Sequence, residues 1–377
     1  MPALLRYCQS QEAWLIDVIE ELVRHESPSD DKAAVDACGA AIASLLSGLG
    51  ARVERLAQPK AGDHLRATFG SGDRQVLLSG HFDTVWPVGQ LERMPFELRD
   101  GRLHGPGIFD MKAGISIGML AARAVLDAPP PGWRLVVLLT TDEEVGSTTS
   151  RALIEDEARR SDAVLVLEPS LPGGVLKTAR KGCGEFEMTI TGVPAHAGVD
   201  PTKGASAILE LAHQVLALHA LRDLDRGVSV NTGVVEGGSR PNVVAERSRA
   251  RIDVRAPTMA DAARIEGSIR ALRPQVPGTS IEVRGGFERP PLERSAGVAA
   301  LFSKAHAVAA ELGFELREGS TGGGSDGNFT AALGVPTLDG LGAVGDGAHA
   351  IHEHVERASL VTRAALVAGL IDRIVSA

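Results

Sequence analysis

Aromatic residues are scarce, at 3% of 377 positions. Such a chain lacks the stacking platforms on which single-stranded nucleic acids are held. Basic excess is missing too, since 39 Lys and Arg stand against 48 Asp and Glu for a net charge of −9. There is no electrostatic footprint for a phosphate backbone, and nucleic acid is not expected as a partner. Cysteine is limited to Cys8, Cys38 and Cys183, an odd and scattered set without a CxxC pair. It builds neither a disulfide framework nor a thiolate zinc site, and a reducing, cytoplasmic compartment is expected. Long apolar runs are absent: residues 135–139 form one of the longest and are far too short to cross a bilayer. The opening MPALLRYCQSQEAW has neither the apolar core nor the small-residue cleavage site of a signal peptide, so no membrane anchor is expected.

What is present is an ordinary globular composition, 44% hydrophobic and 23% charged, in a chain too long for one core. Two domains are expected. Apolar residues at Trp14, Leu15, Val18, Ile19, Leu22 and Val23 predict a helix over residues 11–25. A second helix is expected over 32–49. Mostly apolar segments at 76–79, 134–139 and 163–167 read as buried strands. Helices are expected between and around them, over 113–126 and 147–158, which predicts an α/β fold with a mixed central sheet flanked by helices. From residue 185 the strands alternate instead, and the order βαββαβ predicts an inserted α+β domain. The expected boundaries are 1–177 and 291–377 for one domain and 178–290 for the insertion.

Each buried strand ends in side chains that bind cations or move protons. His81 and Asp83 follow the first, Asp142-Glu143-Glu144 the second, and Glu168 the third. Asp110 follows a Gly-Pro-Gly turn, and His349 follows Gly345-Asp346-Gly347-Ala348. One such residue alone is an ordinary capping or solvated group, but in α/β sheets the crevice beyond the strand ends is where sites form. His81, Asp110, Glu144, Glu168 and His349 together have the stoichiometry of a dinuclear centre, with mixed imidazole and carboxylate ligands suited to zinc. Asp110 could bridge, His81 and Glu168 could complete one ion, and Glu144 and His349 the other. Asp83 would hold the His81 tautomer from behind. Glu143, next to a ligand, is free to act as a general base.

The segments SGHFDTV, GPGIFDMKAG, TTDEEVGS, VLEPS, PAHAG and TGGGSDG, in this order, resemble the M20 metallopeptidases, in particular the carboxypeptidase G2-like glutamate carboxypeptidases. The resemblance spans nearly the whole chain. It implies a zinc-peptidase-like catalytic domain with an inserted dimerisation domain, and two Zn2+ per subunit, with Co2+ or Mn2+ as substitutes. It implies the five ligands named above, Glu143 as base, and hydrolysis of an amide next to a free carboxylate in an N-acyl amino acid or short peptide. His196 matches a histidine offered to the partner subunit of a homodimer. Arg255, Asn242, Lys177 and the loop with Thr321, Gly324 and Ser325 match substrate-binding positions. The chain departs from the pattern after His349, where His352 and His354 are rival ligands. Another side-chain preference within the family is the alternative, and a non-catalytic binding module is the alternative from another class. No GxGxxG follows the first strand, which removes a dinucleotide-binding reading.

Overall fold

In the strand Arg74–His81, Val76 and Leu78 face one helical layer and Leu77 the other, because successive side chains of an extended chain point to opposite faces. The neighbouring strands repeat the division. Leu135, Val137, Leu139, Ala163 and Leu165 join the first layer, and Val136, Leu138, Val164 and Val166 the second. The computed structural model describes residues 1–126 and 132–376, and divides into two compact units. The first comprises Met1–Ala179, Arg294–Thr321 and Ser325–Ala377, and the second Arg180–Glu293 with Gly322–Gly324.

The first unit is built on a six-stranded sheet in the order Arg52–Leu56, His64–Gly70, Trp133–Thr140, Arg74–His81, Ala163–Val166 and Thr337–Leu338. The first two strands run antiparallel to their neighbours and the last four are parallel, so the sheet is mixed. Helices Ala113–Leu126, Ala296–Leu312 and Arg357–Val375 cover one face, while Arg151–Arg159 and Gly327–Ala332 pack on the other. Leu138 is wholly buried. Its truncation to Ala would cost about 2–5 kcal/mol in transfer and cavity energy.

The second unit carries βαββαβ in chain order. Its strands Ser229–Gly237, Arg247–Ala256, Gly182–Thr191 and Ser280–Arg289 form an antiparallel sheet in that spatial order. Phe186, Met188, Ile190, Ile252 and Val254 bury one face against helices Ala207–Ala220 and Met259–Arg270.

The structure adds one helix to those expected and shortens another. A helix Pro2–Ser10 precedes the first expected one. The helix expected over 147–158 begins only at Arg151, because Ser147 has a left-handed φ of 55° and its neighbours serve the preceding turn. Ser147 Oγ donates to Asp326, and Thr149 donates through both backbone N–H and Oγ1 to Asp142. Among the described residues, no helix is long and apolar enough to cross a membrane.

Candidate metal centre

Three parallel strands, Trp133–Thr140, Arg74–His81 and Ala163–Val166, end at one edge of the sheet and present their last residues there. His81 terminates its strand opposite Thr140. Glu143 and Glu144 lie in the short turn Glu143–Val145, and Glu168 lies two residues past Val166. Asp110 sits in the wide turn Ile108–Lys112, whose Lys112 N–H donates to Gly107 O at 3.0 Å. Gly107 enters this turn at φ 68°, where a Cβ would be strained. A Cβ on Gly114 or Gly342 would lie 2.1 Å from the Leu167 carbonyl oxygen, so glycine lets both segments close around the residue before Glu168.

The two oxygens of Asp110 face two different imidazoles. Oδ1 lies 3.2 Å from His81 Nε2, and Oδ2 lies 3.5 Å from His349 Nε2. Glu168 Oε1 is 3.5 Å from His81 Nε2, and Glu144 Oε2 is 3.2 Å from His349 Nε2. Ligand atoms of His81, Asp110 and Glu144 all fall within 4.8 Å of one another. The five residues expected to bind metal are thus brought together. His349, rather than His352 or His354, faces the carboxylates, from a backbone with φ 61°.

The charge pattern asks for cations. Burial alone would depress His81, but Asp110, Asp83 and Glu168 more than reverse this and hold it well above the usual imidazole range. Asp110 and Glu144 push His349 up to about 10. Burial pushes the Glu144 carboxyl above its usual range although His349 pulls it down. Glu144 Oε1 is buried with no hydrogen-bond partner among the described residues, a costly state that a coordinated ion would relieve. In the protein alone, the carboxylates favour the protonated form of both imidazoles. Divalent ions would balance the carboxylates with neutral imidazoles, and the mixed nitrogen and oxygen donors fit them.

Glu353 is the residue that sequence reasoning passed over. It is 1% exposed and accepts from the backbone N–H groups of Gly107, Phe109 and Asp110 at 3.0, 2.9 and 3.1 Å, and from Trp86 Nε1 at 2.8 Å. Burial raises its carboxyl to about 7 despite these donors. One side chain four positions after His349 therefore fixes the turn that delivers Asp110. An acidic residue between two histidines reads as surface, and only the three-dimensional convergence reveals it.

The remaining expected residues have their own settings. Lys177 is buried and exchanges backbone hydrogen bonds with Asp339. Ser325 is 0% exposed, donates to Asp339 at 2.7 Å and accepts from Gly327 N–H at 3.1 Å, so its hydroxyl is committed to holding the chain. Thr321 is half-buried, and the Gly324 carbonyl accepts from Arg180 at 2.9 Å. In the second unit, Arg255 is clamped by Asp253 at 3.0 and 2.6 Å and touches Cys183 Sγ. His196 is exposed, and its loop is joined to that of Asn242 by Ala197 N–H donating to Asn242 O at 3.0 Å. His196 Nδ1 accepts from Gly198 and Val199 N–H, both at 3.2 Å, which leaves the proton on Nε2.

Comparison with known proteins agrees with this geometry. A model described as peptidase family M20/M25/M40 matches residues 77–373. The chain is 30% identical to carboxypeptidase G2 of Pseudomonas sp. (strain RS-16), over 98% of this chain and 91% of that protein. It is 32% identical to a succinyl-diaminopimelate desuccinylase of Xanthomonas euvesicatoria pv. vesicatoria (strain 85-10), over 89% and 93%. The crystal structure of aminopeptidase PepT from Bacillus cereus ATCC 10987 shares the fold at a TM-score of 0.80 and 23% identity, over 97% and 99% of the two chains. The matched span contains every residue of the carboxylate and imidazole cluster, and the chain is a hydrolase belonging to the M20/M25/M40 family of metallopeptidases.

Proposed function

We propose that the protein hydrolyses an amide bond adjacent to a free carboxylate, releasing glutamate from an N-acyl-glutamate or similar short peptide, with two zinc ions per subunit. The observation that carries the reading is the division of Asp110: each oxygen faces one histidine, and each histidine faces one further carboxylate. His81, Glu168 and one oxygen of Asp110 would hold one ion, and His349, Glu144 and the other oxygen the second. Bound there, the pair would supply Lewis acidity toward the scissile carbonyl and toward water.

Glu143 stands beside Glu144 and would take the proton of the attacking water, then return it to the leaving amine. Its neighbour's backbone is held, since Asp83 accepts from the N–H groups of both residues at 3.3 Å. His196, with its proton on Nε2, would donate to the carbonyl oxygen as charge develops, acting from the partner subunit of a homodimer. In the second unit Arg255, Asn242 and Gly324, and in the first unit Lys177 and Thr321, are the candidates to receive the substrate carboxylate and carbonyl, the Ser325 hydroxyl being engaged by Asp339. Three thiols without disulfides fit a cytoplasmic setting.

The likeness to a desuccinylase favours a second reading, an N-acyl-amino-acid deacylase whose acyl group carries the negative charge. A panel of acyl glutamates, succinylated amines and dipeptides, assayed with zinc, separates the two. Glu143→Ala should abolish turnover of whichever substrate is preferred while retaining bound zinc. Persistent hydrolysis in that variant would remove Glu143 as the base.

A further inference from the structure

The segment after His349 contains two histidines that the cluster does not use. His354 lies in a four-stranded sheet in the order Gly345–Asp346, His354–Glu356, Arg102–His104 and Glu97–Arg99. Its register sets Asp346 opposite His354, His354 opposite His104, and His104 opposite Glu97. Residues directly opposite in antiparallel strands share a face, with Cβ atoms about 4.5–5.5 Å apart. The sheet thus carries a row of carboxylate, imidazole, imidazole and carboxylate. Leu103 and Val355, adjacent in sequence to the two histidines, point the other way and are 2% and 0% exposed.

The imidazoles are spaced as a chelating pair. Their ring centroids are 5.3 Å apart, with the planes tilted by 38°. Two imidazoles on one tetrahedral ion, each nitrogen about 2.0–2.1 Å from the metal, place their ring centres roughly 5 Å apart. The tautomer of His354 is set as well. Its Nδ1 lies 2.9 Å from the carbonyl oxygen of His352, which can only accept, so Nδ1 carries the proton and Nε2 a lone pair. His354 is 8% exposed, and its Nε2 has no hydrogen-bond partner among the described residues. With Nδ1 committed to that carbonyl, the Nε2 lone pair is the atom left to bind a metal. Burial, then Arg99 and His354, keeps His104 below the usual imidazole range, which favours its neutral, metal-binding form.

We propose that His104 and His354 form an accessory site for a divalent transition-metal ion of the zinc, nickel and copper class, separate from the cluster around Asp110. Imidazole pairs select these ions over magnesium or calcium, which want oxygen. The flanking carboxylates supply negative charge rather than first ligands. Glu97 is 3.1 Å from Arg99, and Asp346 Oδ1 accepts from Gly347 N–H at 2.8 Å.

The test is equilibrium dialysis of the full chain against a series of buffered free Zn2+ concentrations, with bound zinc counted by elemental analysis. Wild type should take up one more equivalent than His104→Gln or His354→Gln, each checked for folding by circular dichroism. Affinity for the additional ion should drop at least about 10-fold in either variant, with the tighter zinc unchanged. Equal uptake by wild type and a folded variant would overturn the site. Wild type alone gives a second readout, modification of His104 by diethylpyrocarbonate followed by mass spectrometry. Zinc in the weaker range should protect His104, and labelling that is constant across the series would equally overturn the proposal.

Discussion

Asp83 approaches His81 from behind: its Oδ1 lies 3.3 Å from Nδ1, while Nε2 across the ring faces Asp110 at 3.2 Å and Glu168 at 3.5 Å. The same carboxylate accepts from Ser29 Oγ at 2.7 Å and from the N–H groups of Glu143 and Glu144. It therefore orients an imidazole and a turn together. Asp83→Ala should weaken zinc binding by about 10- to 100-fold, as loss of a partner behind a metal-binding histidine does. Competition with a chromophoric chelator measures this, and unchanged affinity would contradict the role.

Glu353→Gln keeps the shape of a side chain that receives four donors but turns one of its acceptors into a donor. At least one N–H among Gly107, Phe109, Asp110 and Trp86 then loses its partner. The expected loss is about 1–3 kcal/mol of stability, read by thermal unfolding, together with weaker zinc retention. A variant as stable as wild type would show that the turn at Asp110 is held by other means.

His196→Ala removes the Nε2 donor from an exposed loop. If it works as an oxyanion donor, kcat should fall about 10²- to 10³-fold with little change in bound zinc. Mixing His196→Ala protomers with Glu143→Ala protomers should restore part of the activity, because one composite site then has both groups intact. No recovery in verified heterodimers would argue against sharing between subunits.

The second unit should be acid-sensitive through Glu210. This wholly buried carboxylate accepts from Val276 N–H at 2.6 Å, Gln275 N–H at 2.8 Å, Gln214 Nε2 at 2.6 Å and Thr279 Oγ1 at 3.1 Å. Burial raises its pKa, but these donors, led by Val276, carry it below the ordinary value. Because the folded value is depressed, the stabilisation is complete above the unfolded pKa of about 4.3 and is lost as pH falls through the folded one. Glu210→Gln should cost about 1–3 kcal/mol at pH 7, with the gap to wild type narrowing below about pH 4. Denaturant unfolding across that range checks it, and a constant gap would be contrary.

Strand ends were the most legible feature of the sequence. Residues 76–79, 134–139 and 163–167 are mostly apolar runs with chemically active side chains at or just past their C-terminal ends, so His81, Glu144 and Glu168 could be placed at one edge. Asp110 and His349 were legible through the glycines around them. Glu353 was not, because its partners are backbone groups some 245 positions away, and no local pattern encodes such a bond. Ser147 broke an expected helix for a similar reason: its hydroxyl is drawn to Asp326, far along the chain. Pairing of His104 with His354 likewise depends on strand register, which neither short segment reveals alone.

The order in which the cluster's members occur along the chain bears on its birth at the ribosome. His81, Asp110, Glu144 and Glu168 all precede the second unit, and His349 follows it. A nascent chain that has emerged only through that unit sets three carboxylates against a single imidazole. Their repulsion would be offset only by a cation or, later, by His349. If the cluster binds metal as proposed, its capture should belong to the end of synthesis, and truncations before residue 349 should emerge as weak, leaky chelators rather than as slower enzymes.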